Sequence, residues 1–390
     1  MAAAAERSIV VYGASGTLGR LVARELADRG ARVIACGRDA ARVRAVADEL
    51  AIGARVAAAD DPAALASAFA GARVVVSCAG PFGEIGTGVI AAAIDARAAY
   101  VDACGEQGFL RDCYERYESR ARKAQVACVG GMGVAPALGD LAAALAAEAV
   151  ASSFTEGSMM RGALPARLAE DDPLDEIAVS WILEGVAAAP GAQRSGVAMF
   201  AERGAVWRGD RWDPQAAGAS RRDVNPGPSF GGTRTAISAP GGEVITIPRH
   251  VAAQRVETFA SFARAAWAMR AAQVAARAAP LFGLAARLAR ANPAPPPTER
   301  ERSRARFAVV AQATRRFSSE EVIVRGVDLY ATAAAIVAWG AVALAAREAG
   351  PIGVLAPSEL FAPGPALEAL AAAADLEIET SFAPAAADAW

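Results

Sequence analysis

Apolar residues follow two alternating rhythms over residues 1–150 of the chain. Short β-branched runs at Ser8–Tyr12, Arg32–Ala35, Ala54–Ala58, Ala72–Ser77, Ala99–Asp102 and Val126–Val129 predict strands. Helical spacing predicts helices between them, over Thr17–Gly30, Asp39–Leu50, Pro62–Ala70, Gly86–Ala96 and Phe109–Ala124. The first of these helices places Leu18, Leu21, Val22 and Leu26 on one face. Such βαβ alternation with almost continuously apolar strands predicts an α/β fold, a doubly wound parallel sheet covered on both faces.

The texture changes after Gly130. Gly130, Gly131, Gly133 and Pro136 form a crossing, and Ala137–Ala149 reads as a helix. Strands are expected at Ser152–Arg161, Val197–Trp207 and Glu243–Pro248, then a long helix over Thr258–Arg290. Asn292–Arg306 is a Pro-rich, charged loop, and Phe307–Ala313 with Glu321–Arg325 is a last strand pair. Leu329–Ala346 carries no charge over a length near the lower limit for a membrane span. Its alanine content favours a buried helix over a span.

Composition removes several classes of function. The chain has 390 residues, enough for two domains with separate cores. With 40 basic and 42 acidic side chains, a net charge of −2 offers no general attraction for nucleic acid. His250 is the only histidine, so no metal site is built on several histidines and any Ser-His-Asp triad would need His250. The five cysteines form no C-x-x-C pair, which argues against zinc and for free thiols in a reducing cytoplasm. Met1–Ser8 lacks the apolar stretch of a signal peptide.

The strongest chemical signal is Gly13-Ala14-Ser15-Gly16-Thr17-Leu18-Gly19, between a predicted strand and a predicted helix. Its G-x-x-G-x-x-G spacing is a variant of the dinucleotide fingerprint. Gly13 permits the turn, Gly16 lets a pyrophosphate approach the backbone, and Gly19 lets helix and strand pack closely. Backbone N–H groups from Ser15 to Leu18 would hold the phosphates at the positive helix end. Where an NAD site usually carries an acid, this chain has Cys36-Gly37-Arg38. A guanidinium pairs with a 2′-phosphate, so NADP(H) is favoured over NAD(H). The adjacent Asp39 either keeps NAD open or caps the next helix.

Asp60 after the third strand either reaches the adenine or caps the helix near Pro62. Ala79, Gly80 and Pro81 leave the fourth strand at its carboxyl end, where ligands of open α/β sheets bind. Asp102 and Glu106 end the fifth strand on the same edge and are candidate catalytic carboxylates, though helix capping explains at least one of them equally well. His250 is a third candidate, as proton donor or as a hydrogen-bonded structural histidine. Arg249 reads either as an anion-binding residue or as a surface residue. No tyrosine has a lysine four residues later, because Lys123 is the only lysine, and this excludes the Tyr-Lys reductive mechanism. Ala263–Arg290 is basic and amphipathic, suited to a membrane surface, a carrier protein or a solvated face. An exposed sheet in the second half would suit a homodimer.

VVYGASGTLGRLVARELADRG, SCAGPFGEIGTGVI, YVDACGEQGFLRD and GGMGVAPALGDLAA together resemble the saccharopine dehydrogenase/reductase-like NADP-binding proteins. The bacterial branch similar to trans-acting enoyl reductases is the nearest likeness. That resemblance implies a Rossmann domain over 1–135, an inserted α+β substrate domain over 136–326 and a segment, 327–390, returning to the Rossmann unit. It further implies reduction of a C=N or C=C bond. Tryptophan, methionine and alanine in the second half point to an apolar, acyl-type substrate over an amino acid; a non-catalytic NADP(H) sensor is the alternative.

Overall fold

The computed structural model describes residues 8–153, 168–201, 204–262 and 295–382. The first domain runs β1 (Ser8–Tyr12), α1 (Thr17–Asp28), β2 (Val33–Gly37), α2 (Ala40–Leu50), β3 (Gly53–Val56) and α3 (Pro62–Phe69). It continues with β4 (Ala72–Ser77), α4 (Phe82–Asp95), β5 (Ala99–Asp102), α5 (Gln107–Ala124) and β6 (Ala127–Val129). Together with β15 (Gly353–Leu355), these strands form a parallel seven-stranded sheet in the order β15-β6-β5-β4-β1-β2-β3. Strand order reverses between β1 and β4, which opens a crevice at their carboxyl ends, the usual ligand position in this architecture.

Helix α6 (Val134–Ser153) crosses to a second domain built on β7 (Glu176–Glu184), α7 (Pro190–Ala201), β8 (Gly204–Arg208), β9 (Arg211–Gln215), β10 (Arg221–Val224) and β11 (Arg234–Ser238). After α8 (Glu243–Thr246) come β12 (Arg255–Phe262), α9 (Glu299–Arg302), β13 (Arg306–Arg315) and β14 (Ser318–Val327). The chain then returns through α10 (Leu329–Ala346), β15, α11 (Pro357–Leu360) and α12 (Pro363–Ala374), and ends in β16 (Glu377–Thr380). The second sheet is mixed, in the order β10-β11-β12-β7-β13-β14-β16, with β8 and β9 branching from β12. One apolar cluster runs from Val11 and Val76 through Leu138 and Leu141 of α6 to Val179 and Val309. The domains therefore share a core, and α6 is its hinge pin.

Several expectations need correction. Glu243–Pro248 is not a strand: α8 and a 3₁₀ turn, Ile247–Arg249, occupy it. The run is short and buried on every side, so a β-branched composition does not distinguish strand from helix there. The expected helix Thr258–Arg290 begins instead as strand β12, paired to β7 over Val256–Phe262. The remainder of that helix, and with it Ala263–Arg290, lies outside the described residues, as does most of Ser152–Arg161, whose first two residues end α6. Val197–Trp207 divides between helix α7 and strand β8.

The 327–390 segment serves both domains, since β15 joins the first sheet while β16 pairs with β14 in the second. Helix α10 packs on α1, β4 and β5. Arg73, at the amino end of β4, donates to the Ala345 carbonyl (3.3 Å) and to that of Arg347. Its last turn therefore lies at the amino edge of the sheet and its first turn, with Tyr330, toward the carboxyl edge. Leu329–Ala346 and Val134–Ser152 are both long and apolar enough to cross a membrane, and more than half of each is buried inside the protein.

Candidate functional site

The site begins at the turn between β1 and α1. Gly13 adopts φ +83°, and a Cβ there would stand 2.9 Å from the Ala79 backbone nitrogen, so the β1 and β4 loops meet in direct backbone contact. A Cβ on Gly19 would fall 2.2 Å from the Gly13 carbonyl oxygen, so α1 lies directly on its own entry turn. The Cys36 carbonyl accepts from Gly13 N (2.8 Å) and Ala14 N (3.2 Å), which fastens the turn to the end of β2. Gly16 is the N-cap of α1; no side chain caps this end and no acid occupies its first turn. Backbone donors at a positive helix end, left without a side-chain acceptor, suit a phosphate.

Arg38 is exposed at the carboxyl end of β2, with Gly37 buried before it. Asp39 caps α2, accepting from Arg42 N at 3.0 Å. Sequence reasoning missed Arg42, whose guanidinium donates to the Ser15 carbonyl at 2.9 Å. The signal was available, because Arg42 falls in the first turn of a helix that starts beside the glycine turn. Two cations therefore border this end of the crevice, and Asp39 is engaged with its own helix. Asp61, not Asp60, caps α3 by accepting from Ala64 N (3.0 Å), so Asp60 stands exposed at the end of β3. The Cys36 thiol is fully buried and pushed up to about 11 by that burial, so this residue contributes its carbonyl rather than its side chain.

On the other half of the crevice, Ala79, Gly80 and Pro81 connect β4 to α4. Ser195 of α7 leans over this loop, since a Cβ on Gly80 would approach its Oγ to 2.7 Å. Glu106 is buried with both carboxylate oxygens committed: Oε1 accepts from Phe82 N and Oε2 from Gly83 N, each at 2.9 Å. It anchors the first turn of α4 and is a positioning residue. Gln107 bridges to the second domain through Ala205 N (2.7 Å) and the Gly241 carbonyl (2.8 Å).

Asp102 is wholly buried at the end of β5. Its Oδ1 accepts from Cys104 N (2.9 Å) and Gly131 N (2.8 Å), which ties the β5 and β6 loops together. Burial pushes its carboxyl up to about 6, against the opposing pull of those N–H groups. His250 does not join this group. It lies near the end of β15 with Nε2 at 2.9 Å from Asp140 Oδ2, while Asp140 Oδ1 accepts from Ser358 N (2.9 Å). Arg249 pairs with Glu359 at 2.7 Å and lies 4.0 Å over the Tyr114 ring. Both residues fasten the two domains together at the far end of the sheet. A cavity of about 480 Å³ opens at the amino ends of β2 and β3, between Val33 and Arg55, on the edge opposite the glycine turn, and has no part in this site.

Residues 9–129 match the model of the saccharopine dehydrogenase NADP binding domain. Trans-acting enoyl reductases of Mycobacterium ulcerans and Mycobacterium bovis are 37% and 36% identical over 123 residues, which is 30% of this chain and 29% of theirs. The match thus spans less than a third of the length of these curated relatives. Saccharopine dehydrogenase (L-Glu forming) from Saccharomyces cerevisiae aligns over 96% of this chain and all of its own, with a TM-score of 0.61 at 15% identity, a likeness of fold.

Proposed function

The first domain is an NADP-binding domain of the saccharopine dehydrogenase kind, and from this premise we propose that the chain is an NADPH-dependent oxidoreductase that reduces a C=C or C=N bond of a mostly apolar, acyl-type substrate. The observation that carries the reading is the uncapped start of α1, set against Arg38 and Arg42 at the carboxyl edge, with Ser195 of α7 over Gly80 on the other half of the crevice. The bound dinucleotide supplies hydride at the nicotinamide. Around it, the N–H groups of the Gly13–Gly19 turn would hold the pyrophosphate, and Arg38 with Arg42 would take the 2′-phosphate. The Cys78–Pro81 loop borders the half of the crevice left for the reacting ring.

An apolar substrate is favoured because several of the described second-domain arginines are already paired. Arg222 is bonded to Glu176, Arg234 to Glu184, and Arg325 to Glu377 and Glu379. A substrate with several carboxylates would need cations that these pairs occupy. The enoyl reductase names of the mycobacterial relatives point the same way. A reducing cytoplasmic setting belongs to the same proposal, with all five cysteines as thiols.

Fluorescence titration with NADPH and NADH, beside the Arg38→Ala variant, tests the reading. Loss of a charge-assisted pair should weaken NADPH binding at least about tenfold and leave NADH nearly unchanged. Absence of binding by either nucleotide would end the reductase reading. Tight NADPH binding with no oxidation by any enoyl thioester or imine would leave a cofactor-binding sensor.

A further inference from the structure

Among the described residues, Ser77 Oγ, the Tyr100 hydroxyl and Asp102 Oδ2 at the ends of β4 and β5 are buried without a well-formed hydrogen bond. Ser77 and Asp102 face each other across β4 and β5, and Tyr100 lies two residues back on the same side of β5. Buried carboxylates are ordinarily paired with a cation, because an isolated charge in the interior is expensive. Among the described residues, the groups around Asp102 contain none. Cys78 follows β4, Cys104 and Glu106 lie in the loop after β5, Cys113 comes from α5 and Cys128 from β6. Every one of these is neutral or acidic. Oδ1 is held by two backbone donors, while Oδ2 makes no well-formed hydrogen bond and the neutral Tyr100 hydroxyl is the side-chain donor beside the carboxyl.

The β2 and β3 ends, with Arg38, Arg42 and Asp60, take the adenosine half of a dinucleotide laid across the switch point. The redox ring then falls on the β4–β5 side, where this carboxyl sits. That ring is a cation when oxidised and neutral when reduced. We propose that Asp102 supplies the counter-charge for the oxidised nicotinamide, so that this residue sets the relative affinity of the crevice for NADP⁺ and NADPH. The inference rests on the reading that the crevice holds NADP(H), and it adds what Asp102 does to the cofactor's two redox states. A carboxylate in this position also stabilises positive charge as it develops on the ring during hydride departure, in a poorly screened site where such an interaction is strong.

Linkage gives the signature. A cationic ring favours ionised Asp102, so NADP⁺ binding releases a proton near the titration range of the carboxyl, and NADPH binding does not. The ratio Kd(NADP⁺)/Kd(NADPH) should therefore fall severalfold, to a limit of about tenfold, from about pH 5 to about pH 8. Both nucleotides carry the same 2′-phosphate, so its own titration near pH 6 cancels in the ratio.

The experiment measures NADPH by fluorescence and NADP⁺ by competition on the full chain across this range. A falling ratio in the wild type and a flat one in Asp102→Asn supports the assignment. Parallel pH profiles in the wild type, or a slope retained in Asp102→Asn, overturn it. Tyr100→Phe keeps the carboxyl and removes a neighbour that favours its ionised form, so its midpoint should move to higher pH; an unmoved midpoint also counts against the proposal. Failure of both nucleotides to bind at any pH would instead bring down the reductase reading on which this one rests.

Discussion

The two halves of the crevice treat their polar groups in opposite ways. At the β1–β2 end, donors are left open: α1 starts without a cap, and Arg38 is exposed. At the β5–β6 end and the domain junction, acids are buried and fastened, with Glu106 on two backbone donors, Asp102 on two more, and Asp140 between His250 and Ser358. Open donors at a helix start await a charged ligand, whereas buried carboxylates with backbone partners maintain geometry. Two carboxylates read from sequence as candidate catalysts thus divide on inspection. Glu106 spends both oxygens on structure, and Asp102 keeps one without a well-formed hydrogen bond.

Variants that force each half to behave like the other test this contrast. The largest effect is expected at Gly19→Ala, where the added Cβ meets backbone that cannot step aside. It should cost more than about 3 kcal/mol, the upper end for overpacking, and abolish NADPH binding with it. A melting curve superposable on wild type would show that the turn has room to move.

Asp140→Ala should follow, at about 3 kcal/mol, by stranding His250 and the Ser358 N–H while leaving the glycine turn intact. Burial alone would raise the Asp140 pKa, but His250, Ser358 and Thr246 outweigh it and hold the group below the usual carboxylate value of 3.8. A lowered carboxylate contributes stability that is complete above its unfolded pKa and is lost as pH falls through the folded value. The gap between wild type and variant should therefore narrow in thermal melts below about pH 4. A gap independent of pH would remove the ionic account.

Glu106→Gln is the mildest, at about 1–2 kcal/mol, because the amide oxygen still accepts from one of the two N–H groups that the carboxylate held. Cofactor affinity should fall only modestly, through the α4 start. A complete loss of NADPH binding would mean that Glu106 touches the nucleotide and that the two halves are less distinct than described.

Legibility in the sequence followed the same divide. The first domain could be read strand by strand, because parallel strands buried on both faces are almost purely apolar and the helices between them keep their period. The glycine turn was readable for the same local reason. Long-range partners could not be read: Asp140 and His250 meet over 110 positions, and nothing in the sequence around either one names the other. Thr258–Phe262 was absorbed into a helix because a strand so rich in small and polar residues, RVETFASF, has little alternation to reveal it. Asp60 and Asp61 are adjacent, and only the chain direction entering α3 decides that Asp61 is the cap.

The return of the chain to the first sheet has a consequence for how the molecule is made. Strand β15 closes the edge beside β6, yet almost the whole second domain is synthesised between them. Until Gly353–Leu355 emerges, β6 presents an unpaired edge, and α10 is not there to cover the apolar side of β4 and β5. The nucleotide domain is first in the sequence but among the last to be completed. A growing chain therefore carries an adhesive, half-roofed sheet until Gly353–Leu355 is made, which makes termination or slow translation before that point a route to aggregation.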